Sequence, residues 1–168
     1  MKKLNILIAL INFLWFITCI PIIALILFFS IYMFINPEVL NIIKVSGESI
    51  VESNWLLQLL ILLTMGLILV CIYAFYLFRE TLRYFRRRKP FDDFVINTYS
   101  RIGSLLLVLG ILGTISAFIF PLYLESKLTI SLGISPYLST VCLGLFFMVL
   151  SETFKIAKKA KQENDLTI

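Results

Sequence analysis

Four stretches of this chain carry no charged residue, and no other feature constrains its fold as strongly. They run from Leu4 to Pro37 (34 residues), Ser53 to Phe78 (26), Ile102 to Leu124 (23) and Leu128 to Ser151 (24). About 20 apolar residues cross the hydrocarbon core of a bilayer as a helix, so each stretch is long enough to span. A chain of 168 residues that is 60% hydrophobic has too much apolar surface to hide in one water-soluble core. The predicted fold class is therefore an all-α membrane protein with four transmembrane helices. It forms a single domain over 1–168, with spans at about 4–36, 54–78, 101–123 and 136–151 and a helical tail over 152–168.

Lys2 and Lys3 precede the first apolar run as they would in a secretory signal. The apolar region of a signal is only about 7 to 15 residues, whereas this run continues through Phe28, Phe29, Tyr32 and Phe34. It reads as an uncleaved anchor. Straight, it would be roughly 50 Å long at about 1.5 Å per residue, so it must tilt, kink or protrude. Pro21 withholds a backbone donor and is the natural kink. Asn12, the strongly polar residue inside this run, is expected to bond a neighbouring helix.

Basic residues set the threading. Lys2 and Lys3, the group from Arg79 to Arg101, and the tail lysines 155, 158, 159 and 161 account for 13 of the 15 Lys and Arg; Lys44 and Lys127 lie in the other two connections. Both termini and the second connection are thus expected in the cytoplasm of a bacterial inner membrane. An even number of spans is what that requires.

Chemistry is narrowed by what the sequence lacks. There is no His, which removes the commonest general base and metal ligand. Cys19, Cys71 and Cys142 each sit inside an apolar run and read as packing residues. No nucleophile elbow, phosphate-binding glycine loop or metal-ligand spacing is present. The expectation is a non-enzymatic protein with no cofactor.

The outer connections carry a strand-like period. Leu128, Ile130, Leu132 and Ile134 alternate with small polar residues, and Val39 to Val45 and Ile50 to Val51 flank a turn at Ser46 to Ser49. A small extracellular β cap and an irregular loop on the headgroups are the two readings. Ser135-Pro136 reads as N-cap and first residue of the fourth helix.

Arg83, Arg86, Arg87, Arg88 and Lys89 form the strongest charge feature and point to anionic lipid, at roughly 1 kcal/mol per residue near the surface. So close to the bilayer, they argue against direct nucleic-acid binding. Phe91, Phe94, Val95, Thr98, Tyr99 and Ile102 follow at helical spacing, as in a short amphipathic stretch leading into the third span. Gly103, Gly110, Gly113 and Ala117 place small residues near one face of that span, and Gly144 lies on a similar stripe of the fourth with Thr140 and Ser151. Such faces allow close helix packing, within the bundle or in a homo-oligomer. Beyond Ser151 the fourth helix continues into the tail, where Asn164-Asp165 is expected to break it.

The fourth span and tail from Leu145 to Ile168, Lys89-Pro90-Phe91-Asp92 and the stretch from Asn97 to Gly103 resemble the bacterial membrane-protein family called domain of unknown function 2975. The tail, ending Asp-Leu-Thr-Ile, is the specific part. The resemblance implies architecture more firmly than activity. It also implies a partner, because members are commonly encoded beside a very small helix-turn-helix protein: a membrane protein that holds a DNA-binding regulator at the bilayer. On that reading Glu152, Phe154, Asp165, Leu166 and Ile168 form the docking surface, with Pro90, Phe91 and Asp92 beside it. The competing readings are an immunity or stress-tolerance protein against a toxic peptide, and a transporter or channel component. The last is disfavoured by spans free of ionisable residues.

Overall fold

The computed structural model describes residues 2–36, 44–45, 48–49, 55–87, 91–125 and 135–165. In chain order the elements are α1 (Lys2–Leu14), a π-helical turn (Trp15–Cys19), α2 (Ile20–Ile35), β1 (Lys44–Val45), β2 (Glu48–Ser49), α3 (Trp55–Arg86), α4 (Asp93–Glu125) and α5 (Pro136–Asp165). Since α1, the π turn and α2 follow one another without a break, four helical stretches are long and apolar enough to cross a membrane: Lys3–Ile35, Trp55–Arg86, Asp93–Leu122 and Pro136–Asn164. Their outer faces carry Phe13, Leu25, Phe28, Phe34, Phe118, Phe146 and Val149, each more than half exposed. Leaving such side chains in water forgoes about 1.5 to 3 kcal/mol apiece. Lipid removes that penalty, and the chain is a multi-pass membrane protein.

Local sequence explains the helix boundaries. Pro21, near the start of α2, has no N–H for the carbonyl four residues back. The π turn, whose bonds run i to i+5, lies directly before it, so the helix is rewound there without stopping. Asp92 Oδ1 accepts the Phe94 N–H at 3.0 Å and caps α4. Ser135 Oγ accepts the Leu138 N–H at 3.1 Å, with Pro136 as the first residue of α5. At the other end, α5 runs to Asp165, so Asn164-Asp165, expected to break the helix, are its last two described residues.

Neighbouring helices run antiparallel. Along α1, α2 and α3, Ile8 meets Leu82, Trp15 meets Tyr76, and Met33 meets Leu57. Along α4 and α5, Asp93 meets Lys158, Ile96 meets Ser151, and Gly103 meets Gly144. The α4–α5 pair is the most extensive contact. α3 joins α4 through a cluster of Ala74, Leu77, Val95, Tyr99, Ile102 and Leu106. The expected amphipathic stretch leading into the third span is the first part of α4 itself, and its apolar side, Val95, Ile96, Thr98, Tyr99 and Ile102, is buried against protein. In the first connection, Lys44 pairs with Ser49 and Val45 with Glu48 in a short antiparallel ladder. The expected strand over 128–134 lies outside the described residues.

Candidate functional site

Both ends of the described chain and the α3–α4 connection lie at one end of the bundle, together with most of the basic residues. Here α3, α4 and α5 extend past their charge-free stretches and stay packed on one another. The hub is Tyr99, 4% exposed. Its ring stacks on Phe147 and faces Phe154, both with centroids at 5.6 Å, and Phe85 lies at 6.3 Å. Phe154 also meets Phe85 and Phe91, each at 6.0 Å. Tyr84 stacks on Phe94 at 4.4 Å across the hairpin. Such pairs contribute about 0.5 to 1.5 kcal/mol each beyond the area they bury, so this end is a closely packed three-helix stub.

Two polar contacts tie α5 into it. Ser151 Oγ donates to the Ile96 carbonyl at 2.7 Å in a buried setting. Lys158 Nζ pairs with Asp93 Oδ2 at 2.5 Å. The Asp93 side chain is 75% exposed, so water screens that pair to about 0 to 1 kcal/mol.

These contacts sort the residues expected to dock a partner. Phe154 and Phe91 are half-buried in the aromatic hub, and Asp92 caps α4. All three have internal work. Glu152 is exposed; Pro90, Leu166 and Ile168 lie outside the described residues, and Asp165 is described only as the last residue of α5. The structure adds Ile156, which the sequence reading passed over. It is 68% exposed on α5 beyond the last apolar stretch, one turn from Glu152. An apolar residue at i+4 from an exposed Glu in an otherwise lysine-rich tail was the available signal.

Of the basic cluster, Arg83, Arg86 and Arg87 are exposed, and Arg88 and Lys89 lie outside the described residues. Arg87 reaches over the Tyr84 ring at 6.0 Å.

The small residues fall into two groups. A Cβ on Gly103 would stand 2.8 Å from the Gly144 carbonyl oxygen, and one on Gly144 would stand 2.9 Å from that of Gly103. Gly110 faces the Tyr137 carbonyl in the same way at 2.9 Å. Gly113 faces the Tyr137 ring. Ala117, expected on the same face, is exposed. α5 begins at Pro136, level with Gly110 and Gly113, and offers no further turn for Ala117 to meet.

A second cluster, between α1 and α3, combines residues that the sequence reading kept apart. Arg79 Nε donates to Asn12 Oδ1 at 2.5 Å, so the polar residue of the first span does bond a neighbouring helix. The guanidinium lies 4.7 Å from the centroid of Trp15 and 5.6 Å from that of Phe16. Helical side chains lean toward the helix N-terminus, which for α3 is the end away from the basic cluster. Arg79 therefore draws its charge back alongside the span. Counting it only as a topology signal concealed this contact.

Residues 2–168 match the family described as protein of unknown function DUF2975. The chain belongs to that family. No curated protein and no solved structure matches it.

Proposed function

We propose that this family member is a non-enzymatic regulatory protein of the bacterial inner membrane, threaded with both termini in the cytoplasm, that holds a small helix-turn-helix regulator at the bilayer. The observation that carries the reading is the packed stub at the basic end, from which α5 projects to Asp165 with Ile156 exposed on it. A docking surface on a preorganised helix loses little entropy on binding, and a few apolar anchors carry most of the energy of such contacts. The proposed surface comprises Glu152 and Ile156, both exposed on α5, with Asp165, Leu166 and Ile168 following in the sequence. Phe154, Phe91 and Asp92 support it from within. The basic cluster from Arg83 to Lys89 holds the stub against anionic lipid and sets its side of the membrane.

The test is first whether a small helix-turn-helix protein is encoded beside this gene, and then its co-fractionation with membranes carrying each variant. Wild-type membranes should retain it. Ile156→Asp combined with Leu166→Asp and Ile168→Asp should release it at unchanged membrane insertion, because these residues lie beyond the apolar stretches. If the triple variant retains the regulator while a charge reversal of Arg86, Arg87 and Arg88 releases it, the docking surface lies on the α3–α4 connection instead. Retention in neither wild type nor variants would leave the immunity reading as the better one.

A further inference from the structure

The cluster between α1 and α3 has donors without acceptors. A guanidinium carries five N–H groups and an indole one. Arg79 spends its Nε–H on Asn12, and no other acceptor is bonded to it among the described residues. Trp15 Nε1 is buried with no hydrogen-bond partner. No carboxylate is paired with Arg79 among the described residues. An Arg drawn back along a membrane span with a neutral amide and a π face for company has an uncompensated charge in a medium that solvates charge poorly.

From this arrangement the geometry points to a binding site for the phosphodiester of an anionic phospholipid, in the leaflet at the basic end, with Arg79 as the anchoring cation. Three features suit that ligand. Arg presents its free N–H groups as a planar fork matched to phosphate oxygens. Arg79 directly follows the apolar stretch that ends at Phe78, so a guanidinium drawn back along α3 lies just inside the end of that stretch, within reach of a headgroup phosphate. Beside it Phe16 is 57% exposed and Phe13 64% exposed, offering apolar surface to the acyl chains. Asn12 and the Trp15 ring hold the guanidinium in place by a hydrogen bond and a cation–π contact. A net negative headgroup is preferred over a zwitterionic one because the latter brings its own counter-charge. The site is distinct from the exposed basic cluster and goes beyond the docking reading, with which it stands or falls independently.

Trp15 is its own reporter once the other tryptophan is removed. Full-length protein carrying Trp55→Phe, in non-ionic detergent, is titrated with short-chain phosphatidylglycerol, short-chain phosphatidylcholine or sodium phosphate while Trp15 emission is followed. The expected result is a saturable change with phosphatidylglycerol, with apparent affinity at least tenfold weaker for phosphatidylcholine. Arg79→Gln should lose the response. Arg79→Lys, which keeps the charge and loses the fork, should weaken it severalfold; its thermal midpoint reports whether the fold is kept. Arg86→Gln should respond as wild type. A response to inorganic phosphate equal to that with phosphatidylglycerol would support the oxyanion chemistry and make free phosphate its source. Equal response to the two lipids, no saturable response to any of the three, or an Arg79→Lys protein that is folded and titrates as wild type would overturn the site.

Discussion

Replacing Gly144 with Ala tests the crossing of α4 and α5 with one methyl group. The new Cβ would stand 2.9 Å from the Gly103 carbonyl oxygen, 3.0 Å from the Leu107 nitrogen and 3.2 Å from Leu106 Cβ, whereas ordinary contact begins at 3.4 Å. Two of those atoms are backbone, so relief requires the helices to separate by about 0.5 Å. A gap of that size forfeits roughly a quarter of the attraction at each atom pair, worth about 0.1 to 0.2 kcal/mol when intact. Over the several dozen pairs at a crossing this is roughly 1 to 2 kcal/mol, within the usual range for overpacking. Against it stands the helix-propensity gain of Gly to Ala, up to about 1 kcal/mol. The net is a destabilisation of up to about 1 kcal/mol, a fall of up to roughly 4 °C in thermal midpoint for a chain of this size. Gly66 is the control, because a Cβ there meets nothing within 4 Å. Gly66→Ala should keep the propensity gain and raise the midpoint. Scanning fluorimetry in one detergent compares the two. Gly103→Ala should behave as Gly144→Ala does. The double variant should lose less than the two combined, since the first methyl has already opened the crossing. If Gly144→Ala raised the midpoint as much as Gly66→Ala, the two helices would not meet at these glycines.

Two further outcomes follow from the polar contacts of the stub, both read by the same midpoint measurement. Ser151→Ala removes a buried hydrogen bond to the Ile96 carbonyl and should destabilise by about 0.5 to 1.5 kcal/mol; no change would mean that water or lipid reaches that carbonyl. Asp92→Ala removes the cap of α4 and should lose about 1 kcal/mol, while Asp93→Asn, which breaks only a solvent-screened ion pair, should change stability by less than about 0.5 kcal/mol. A reversed order would mean that the ion pair, and not the cap, holds the start of α4.

How much of this protein could be read from its residues differs between the fold and the site. The Ser135 cap with Pro136 behind it was visible because a cap is settled by residues within one turn. Asn12 had to bond something, since an amide inside an apolar run has no water to turn to, but no sequence signal named Arg79 as the partner. Phe154 reads in the sequence as an aromatic of the tail expected to dock a partner, and only the structure shows that its ring also packs on Tyr99, Phe85 and Phe91. Ile156, two positions on, points outward.

The sequence by itself determined the number of helices long and apolar enough to cross a membrane. An uncharged run of more than 20 residues has little choice in hydrocarbon, because every backbone N–H and C=O must be satisfied within the segment. Only the tertiary structure decided which faces meet. In water the buried side of a helix declares itself by an apolar stripe, but in a bilayer the side facing lipid is as apolar as the side facing protein, and the period falls silent. That is why Gly103 and Gly144 meet at a crossing while Ala117 of the same small-residue row is exposed, and why Arg79 lies over Trp15 instead of beside the other arginines.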